Sequence, residues 1–198
     1  MAGAVDGVLL AGGCSCRAGT FKMTAEVGGK PLLLWGLEAM AAACGRVIVV
    51  AGSEAKKIAT LVAGRPGVEL VVNEHFAEGM LSSVQAGAAR VRTPRFFLLP
   101  GDMPLVGTGV FRELLGRAAD VVVPACNGRR GHPVLLARSL VPGILAEPPG
   151  SSLGAFLRRR ESVVVETGDP GVLADLDLGE DFETIDARLR ARSGDNHE

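Results

Sequence analysis

The sequence lacks several features that mark common classes of protein. Its 198 residues include no tyrosine and one tryptophan, so no aromatic platform for stacking single-stranded nucleic acid is evident. The formal net charge of −1 gives no overall attraction to nucleic acid or to an anionic membrane. No apolar run approaches the roughly 18 residues of a membrane-spanning helix, and the N-terminus lacks a signal-peptide pattern. We therefore expect neither nucleic acid nor membrane as a partner.

Cysteine is also scarce. Cys14, Cys16, Cys44 and Cys126 are too few and too scattered for a disulfide scaffold in a chain of this size. Cys14 and Cys16 have poor spacing for zinc, because no second pair or histidine lies nearby. The pattern predicts free thiols and a cytoplasmic location.

What the sequence does have is an alternation of short apolar runs with segments of helical periodicity. The apolar runs are typical of strands buried on both faces of a parallel sheet, and the alternation predicts a doubly wound α/β structure. No repeat or long linker divides the chain, so we predict one domain over 1–192 and a frayed polar tail over 193–198. Predicted strands cover 5–11, 46–51, 68–72, 95–99, 121–124, 132–137 and 162–166, and predicted helices cover 32–43, 53–63, 81–90, 109–117, 151–160 and 181–192.

The first predicted strand ends in a glycine loop, LAGGCSCRAGTFK, over residues 10–22. Gly12 and Gly13 let backbone N–H groups approach an anion, and Arg17 and Lys22 add fixed positive charge. The loop is not a GxxxxGK[ST] motif, and its glycines do not have GxGxxG spacing. It predicts a triphosphate site of another kind at the carboxyl end of a strand, where ligands of such sheets bind.

Two acidic segments are candidates for a metal site. Asp102 follows an apolar strand in LPGDMP and suits a magnesium ion that bridges phosphates; the alternative is a turn residue that caps the next helix. Asp175 and Asp177 are two apart, so they share a face if extended. Asp177 is the candidate to complete the magnesium site, and the alternative is a strand-edge charge beside capping acids.

Two further segments are candidates for binding substrates. Asn73 ends a predicted strand, and Ser82 and Ser83 fall in the first turn of a helix that starts near Gly79. Free N–H groups and hydroxyls there hold a base, ribose or phosphate; the alternative is helix capping.

The second of these segments, NGRRGHP over 127–133, holds Arg130 and His132. We interpret it as a lid over an anionic second substrate, with a solvated hairpin as the alternative. A dedicated base is not required for phosphoryl transfer.

Together these motifs resemble the molybdopterin nucleotidyltransferases, and more closely the cytidylyltransferase branch. The family opening LAAGxSxRMGxxK is matched over 10–22, GDMP over 101–104, GHP over 131–133 and DxDTPEDF over 175–182. The resemblance implies a three-layer α/β/α fold with a mostly parallel mixed sheet, Rossmann-like and similar to nucleotide-diphospho-sugar transferases. It also implies transfer of CMP from CTP to the terminal phosphate of molybdopterin with Mg²⁺ and release of pyrophosphate. A molybdenum hydroxylase or its maturation factor is the implied downstream partner.

The resemblance assigns roles residue by residue. It implies catalytic roles for Arg17, Lys22 and Asp102, metal binding by Asp102 and Asp177, and second-substrate contacts by His132 and Arg130. The implied nucleotide-binding residues are Leu10, Ala11, Gly12, Gly13, Arg17, Lys22, Asn73, Ser82, Ser83, Gly101 and Asp102.

The motifs disagree about the base of the nucleotide substrate. Gly12-Gly13 is the form more typical of guanylyl enzymes, whereas GMLSSVQAG and GHP resemble the cytidylyl branch. We favour CTP and keep three alternatives: GTP, another phosphate acceptor, and a non-catalytic molybdopterin-binding chaperone. An NAD-type oxidoreductase is disfavoured, because the dinucleotide glycine pattern is absent.

Overall fold

A computed structural model of the chain describes residues 5–12, 21–176 and 182–194. Gly13, Arg17, Asp177, Cys14 and Cys16 therefore lie outside the described residues.

A twisted sheet of eight strands forms the centre of the fold. The strands are β1 (Asp6–Ala11), β4 (Arg46–Ala51), β5 (Val68–Val72), β6 (Arg95–Pro100), β7 (Val121–Cys126), β8 (Arg129–Arg130), β9 (Val134–Ala137) and β10 (Val163–Glu166). Their order is β10-β7-β9-β6-β1-β4-β5, with β8 paired to β7. β9 is antiparallel to both β6 and β7, and β8 is antiparallel to β7, whereas the other pairs are parallel. The sheet is mixed and mostly parallel, as predicted.

Helices cover both faces of this sheet. They are α1 (Leu32–Ala41), α2 (Ala55–Val62), α3 (Met80–Ala88), α4 (Thr108–Leu115), α5 (Val141–Leu145), α6 (Leu153–Arg158) and α7 (Phe182–Gly194). Short 3₁₀ turns lie at Lys22–Thr24, Phe76–Glu78, Arg138–Leu140 and Pro170–Leu173. No helix among the described residues is long and apolar enough to cross a membrane.

The two faces of the sheet form separate apolar cores, because successive side chains of a strand point in opposite directions. Leu9 and Phe97 pack with α1, α2 and α4, whereas Val8 and Phe96 pack with α3, α5 and α6. All four side chains are fully buried. This alternation confirms the predicted three-layer α/β/α fold.

A third apolar cluster joins α7 to a small hairpin, β2 (Glu26–Val27) and β3 (Lys30–Pro31). Leu176 and Leu189 are fully buried in it. The backbone N–H of Gly28 donates to Oδ1 of Asp186 at 2.6 Å. The carboxyl-terminal helix therefore holds the segment that leads from Lys22 into α1.

The amino-terminal edge of the sheet is held by a buried ion pair. Asp6 is 2% exposed, and Nη2 of Arg46 donates to its Oδ2 at 2.8 Å. The backbone N–H groups of Arg92 and Thr93 donate to the same oxygen. Burial alone raises the pKa of Asp6, but these donors and the positive charge of Arg46 outweigh it, so the pKa is lowered.

The predicted elements are present with shifted ends. The helix predicted over 32–43 ends at Ala41, the strand predicted over 132–137 begins at Val134, and the last helix ends at Gly194. The hairpin β2–β3, strand β8 and helix α5 were not predicted. Elements of two to five residues are too short to show a hydrophobic period, so the pattern does not reveal them.

Candidate active site

The site lies where the carboxyl ends of β1 and β6 meet. The chain runs from β1 to β4 and β5 on one side of the sheet, and then returns to β6 on the other side of β1. Such a reversal opens a crevice beyond the strand ends, and ligands of α/β sheets bind there. Gly12 follows β1 and Asp102 follows β6, so the topology brings the two strongest sequence motifs together.

A cavity of about 350 Å³ occupies this crevice, and we call it the first cavity. Its lining includes Leu10, Gly12, Phe76, Met80, Ser83 and Asp102.

Two close backbone approaches shape this cavity. A Cβ atom on Gly12 would lie 2.7 Å from Oγ of Ser83, and one on Gly52 would lie 2.8 Å from the carbonyl oxygen of Gly12. Contacts below 3.0 Å do not occur for real Cβ atoms. Glycine at positions 12 and 52 therefore lets the end of β1 pack directly against α3 and the end of β4.

Asp102 is fixed from several sides. Nζ of Lys22 lies 3.1 Å from its Oδ2, with the lysine side chain 6% exposed and the aspartate side chain 26% exposed. The N–H of Leu176 donates to the carbonyl oxygen of Asp102 at 2.8 Å, and the N–H of Gly101 donates to that of Leu10 at the same distance. The carboxylate thus sits at the cavity wall on a rigid turn, beside a nearly buried ammonium group.

Asn73 organises the loop on the opposite wall. Its Nδ2 donates to Oγ of Ser82 at 2.8 Å and to Oγ of Ser83 at 3.0 Å. Its Oδ1 accepts the N–H of His75 at 3.0 Å. Oγ of Ser82 lies 2.8 Å from the carbonyl oxygens of His75 and Gly79. Asn73 and Ser82 therefore support the loop, and Ser83 is the member of the set that lines the first cavity.

A second cavity of about 590 Å³ adjoins the first and shares Met80 and Pro100 with it. Its walls are largely apolar, with Val84, Leu98 and Val123 among them. Its polar lining includes His132 and the exposed side chains of Arg130 and Arg158. An apolar slot with cations at its rim suits a flat organic anion.

A tight hairpin places Arg130 at this second cavity. Asn127 and Gly128 form a two-residue turn with φ of 52° and 74°, and Asn-Gly is the favoured pair for such positive angles. The carboxylate of Glu166 accepts both of their N–H groups. The turn is therefore fixed at its tip rather than free in solvent.

His132 enters the second cavity at the amino end of β9, next to the carboxyl end of β6. Its buried Nδ1 atom has no hydrogen-bond partner among the described residues. Burial lowers the pKa of His132 below its ordinary value of 6.5, although the charges of Asp102 and Asp175 and a backbone contact at Leu98 oppose that shift. Because its pKa is lowered, the imidazole is neutral near pH 7, and Nδ1 is enclosed by protein rather than open to the cavity.

Comparison with known proteins decides the family. A family model described as a MobA-like NTP transferase domain matches residues 7–163. The chain belongs to this family. The family prediction made from the motifs is confirmed, and the protein is a nucleotidyltransferase.

Two curated relatives cover nearly the whole chain. The protein is 27% identical over 186 residues to a molybdenum cofactor cytidylyltransferase of Escherichia coli K12, with 93% of this chain and 97% of that protein covered. It is 28% identical over 198 residues to a nicotine blue oxidoreductase of Paenarthrobacter nicotinovorans, with 94% and 95% covered. Curated relatives of this chain therefore carry names from two reaction classes.

Solved structures confirm the fold. A nucleotidyl transferase from Methanothermobacter superposes with a TM-score of 0.83 at 18% identity, covering 96% of this chain and 99% of that one. A protein of Mycobacterium tuberculosis H37Rv in complex with manganese gives a TM-score of 0.77 at 22% identity, covering 93% and 98%. The nucleotide-diphospho-sugar-transferase-like fold predicted from the motifs is confirmed.

The donor set of this MobA-like site fits one hard divalent cation. Magnesium binds through one or two carboxylates, and substrate phosphates and water complete its shell. Asp102 supplies one carboxylate at the cavity wall, and its Oδ1 has no hydrogen bond within the described ranges. No cluster of three or more His, Cys, Asp or Glu able to hold a metal occurs in the described part of the chain. Asp177, the predicted second ligand, lies outside that part, so its role stays a prediction.

The structure describes some of the other predicted site residues and not others. Ala11 is fully buried in the core and Gly101 supports the Asp102 turn. The roles of Gly13 and Arg17 stay predictions, because both lie outside the described residues.

Phe76, Met80 and Arg158 are among the wall residues that sequence reasoning missed. Arg158 belongs to a run of three arginines at a helix end, which the helix dipole already explains.

Proposed function

We propose that this protein moves CMP from CTP to the terminal phosphate of molybdopterin, with Mg²⁺ and with release of pyrophosphate. One observation carries the proposal. Two cavities of different character meet at Pro100, next to the Lys22–Asp102 pair. A reaction that joins a nucleotide to a second anionic substrate needs this arrangement, because both reactants must reach one phosphorus atom.

The first cavity is the site proposed for the nucleotide. Lys22 offsets the negative charge of the triphosphate, and Asp102 would hold the metal ion. A bound Mg²⁺ ion neutralises charge on the phosphates and polarises the α-phosphoryl group. Arg17 and Gly13 are predicted to complete the cradle around the triphosphate, as the family resemblance implies.

The contact between Gly12 and Ser83 supports CTP as the donor. The Ser83 hydroxyl occupies the space beside Gly12 that an alanine side chain would otherwise fill. Its position is fixed by Asn73. The guanylyl-like glycine pair therefore leaves no extra room at Gly12, which removes the argument that this pair makes for a purine.

The second cavity is the site proposed for molybdopterin. Its apolar walls suit a flat heterocycle, Arg130 and Arg158 suit the terminal phosphate, and His132 adds a neutral imidazole to the lining. A phosphate oxygen of the acceptor then attacks the α-phosphorus of CTP, and the bond to pyrophosphate breaks. Holding the two reactants in line contributes most to such a transfer, so no side chain needs to act as a base.

The similarity to an oxidoreductase requires a direct test of reaction class. The loop at Gly12 and Gly13 lacks the dinucleotide glycine pattern, and the ion pair at Asp102 suits phosphate chemistry. GTP, another phosphate acceptor and a non-catalytic binding role are the remaining alternatives. The proposal places the reaction in the cytoplasm. A molybdenum hydroxylase as recipient stays a prediction of the family resemblance.

The test is pyrophosphate release by the full chain with molybdopterin and each of CTP, GTP, ATP and UTP, in Mg²⁺, in Mn²⁺ and in EDTA. We expect turnover with CTP and a divalent ion and none in EDTA. Turnover with GTP alone would reassign the base, and no turnover with any nucleotide would overturn the proposal. A parallel assay for oxidation of a reduced nicotinamide cofactor addresses the oxidoreductase alternative.

Replacement of the metal-site carboxylate links this activity to the described geometry. Asp102→Asn keeps the size of the side chain and should lower kcat about a thousandfold, because stabilisation of transition-state charge by a metal contributes several kcal/mol. The control is Asp120→Asn, an exposed aspartate before β7, which should leave kcat unchanged. Full activity in the Asp102 variant would remove this carboxylate from the reaction.

A further inference from the structure

Met80 is the first residue of α3, and its side chain is 69% exposed. That is the largest exposed fraction among the exposed large hydrophobic residues in the described ranges. At the edge of a cavity, such a side chain is placed to contact a ligand that enters the cavity.

The exposed Met80 side chain lies where the two cavities meet. Of the described residues, only Met80 and Pro100 line both cavities. Pro100 is the last residue of β6, two positions before Asp102. The two side chains therefore flank the junction of the cavities, next to the carboxylate where the metal and the reacting phosphates would lie.

The backbone beneath Met80 is rigid although its side chain is exposed. Gly79 has φ of 107°, a left-handed conformation that favours glycine. The carbonyl oxygen of Gly79 accepts the N–H of Ser82 at 3.2 Å and lies 2.8 Å from its hydroxyl. Asn73 in turn holds Ser82. Only the unbranched thioether chain of Met80 is free to adapt, and methionine fills irregular gaps well.

We infer that Met80 is a specificity-determining residue that closes the junction over the reacting phosphates and so selects the acceptor over water. The inference rests on the proposed nucleotidyl transfer. In that transfer, an acceptor phosphate oxygen bonds to the α-phosphorus and the bond to pyrophosphate breaks. In the competing hydrolysis, water supplies the oxygen, and CMP, pyrophosphate and a proton are the products. Excluding water from a closed site suppresses such side reactions.

The partition between the two reactions tests this role. CTP, Mg²⁺ and molybdopterin are incubated with the full chain, and CMP and the cytidylylated product are separated by chromatography. In Met80→Ala, the ratio of CMP to transfer product should rise about tenfold, because water then competes better with the acceptor for the α-phosphorus. The melting temperature should stay close to that of the unsubstituted protein, because Met80 is exposed and not part of the core.

Two further variants and a control separate water exclusion from a general effect of substitution. Met80→Leu keeps an apolar side chain of similar volume and should restore the low ratio. Met80→Gln keeps the length but attracts water, and it should hydrolyse CTP as the alanine variant does. Leu145→Ala removes an exposed leucine, 45% exposed on α5, that lines neither cavity, and its ratio should not change.

The outcomes distinguish this inference from the proposed function. If the unsubstituted protein does not consume CTP, both fall. If it transfers CMP but Met80→Ala gives the same ratio as Leu145→Ala, the role of Met80 is overturned and the proposed function stands. If the glutamine variant keeps the low ratio, side-chain length rather than apolarity matters, and water exclusion is overturned.

Discussion

The two cavities are built in different ways. The first is shaped by backbone: Gly12 and Gly52 bring chain segments to within direct contact, and the turn at Asp102 is held by backbone hydrogen bonds. The second is larger and is lined by side chains, with exposed arginines and the imidazole of His132. A backbone-built site is rigid and suits a constant group such as a triphosphate. A site lined by side chains changes with single substitutions, so under the proposed function we expect substitutions to alter the acceptor site more easily than the nucleotide site.

The largest effect is expected from a substitution that adds a side chain to the backbone of the first cavity. Gly12→Val adds a branched side chain whose Cβ would lie 2.7 Å from Oγ of Ser83. We expect kcat/KM for CTP to fall about a hundredfold, because a displacement of about 1 Å is enough to disrupt alignment. The KM for the acceptor should stay nearly unchanged. Steady-state kinetics with each substrate varied in turn measure both quantities.

The control for this variant is Gly109→Val in α4. A Cβ at Gly109 meets no atom within 4 Å, so the same substitution enters open space and should not affect either KM. If Gly12→Val binds CTP normally in an equilibrium titration, the first cavity is not the nucleotide site. If it weakens the acceptor as much as CTP, the two cavities do not act separately.

A smaller effect is expected from the rim of the second cavity. Arg158→Ala should raise the KM for the acceptor about tenfold, the size of one hydrogen bond to a charged group, and should leave the KM for CTP unchanged. The effect should shrink in high salt, because exposed charges are screened. Arg188→Ala, an exposed arginine on α7, is the matched control and should change neither KM. An equal rise in both KM values would contradict separate sites.

The sequence predicted one half of the sheet better than the other. Strands β1, β4 and β6 carry apolar runs and are largely buried, as expected for strands covered on both faces, and their bounds are close to those predicted. Strand β8 has two exposed arginines and β10 has mostly exposed residues. β10 was nevertheless predicted, over 162–166, whereas β8 and the antiparallel direction of β9 were not, because they follow from pairing with neighbouring strands rather than from composition.

The residues of the site also divide into those that the sequence predicted and those that it did not. Asp102 and Lys22 were predicted because charged residues at strand ends stand out against apolar runs, and the structure brings them to 3.1 Å. The contact between Gly12 and Ser83 was not predicted, because 71 positions separate the two residues and only the packing of α3 on β1 brings them together. Met80 and Arg158 line the site through helix orientation, which a sequence pattern determines poorly.

The smallest effect on activity is expected at the opposite edge of the sheet. Asp6→Asn removes the charge that pairs with Arg46, and breaking a buried ion pair destabilises a protein by about 3 kcal/mol. Activity per folded molecule should not change, because neither cavity includes this edge. Urea unfolding monitored by circular dichroism measures the loss, and kinetics at low temperature measure the activity.

The pH dependence of the free energy of unfolding provides a further test of Asp6→Asn. The pKa of Asp6 is lowered in the folded protein, so its carboxylate stabilises the fold above the ordinary pKa of an aspartate, and that stabilisation is lost as pH falls through the lower folded value. Asp6→Asn should therefore lose stability at neutral pH and show a weaker decline toward acid. Glu69→Gln, on the same arginine but 31% exposed, should cost less than about 1 kcal/mol. If Asp6→Asn instead lowers kcat, the amino-terminal edge is coupled to the cavities through β1, and the first cavity is less rigid than its backbone contacts indicate.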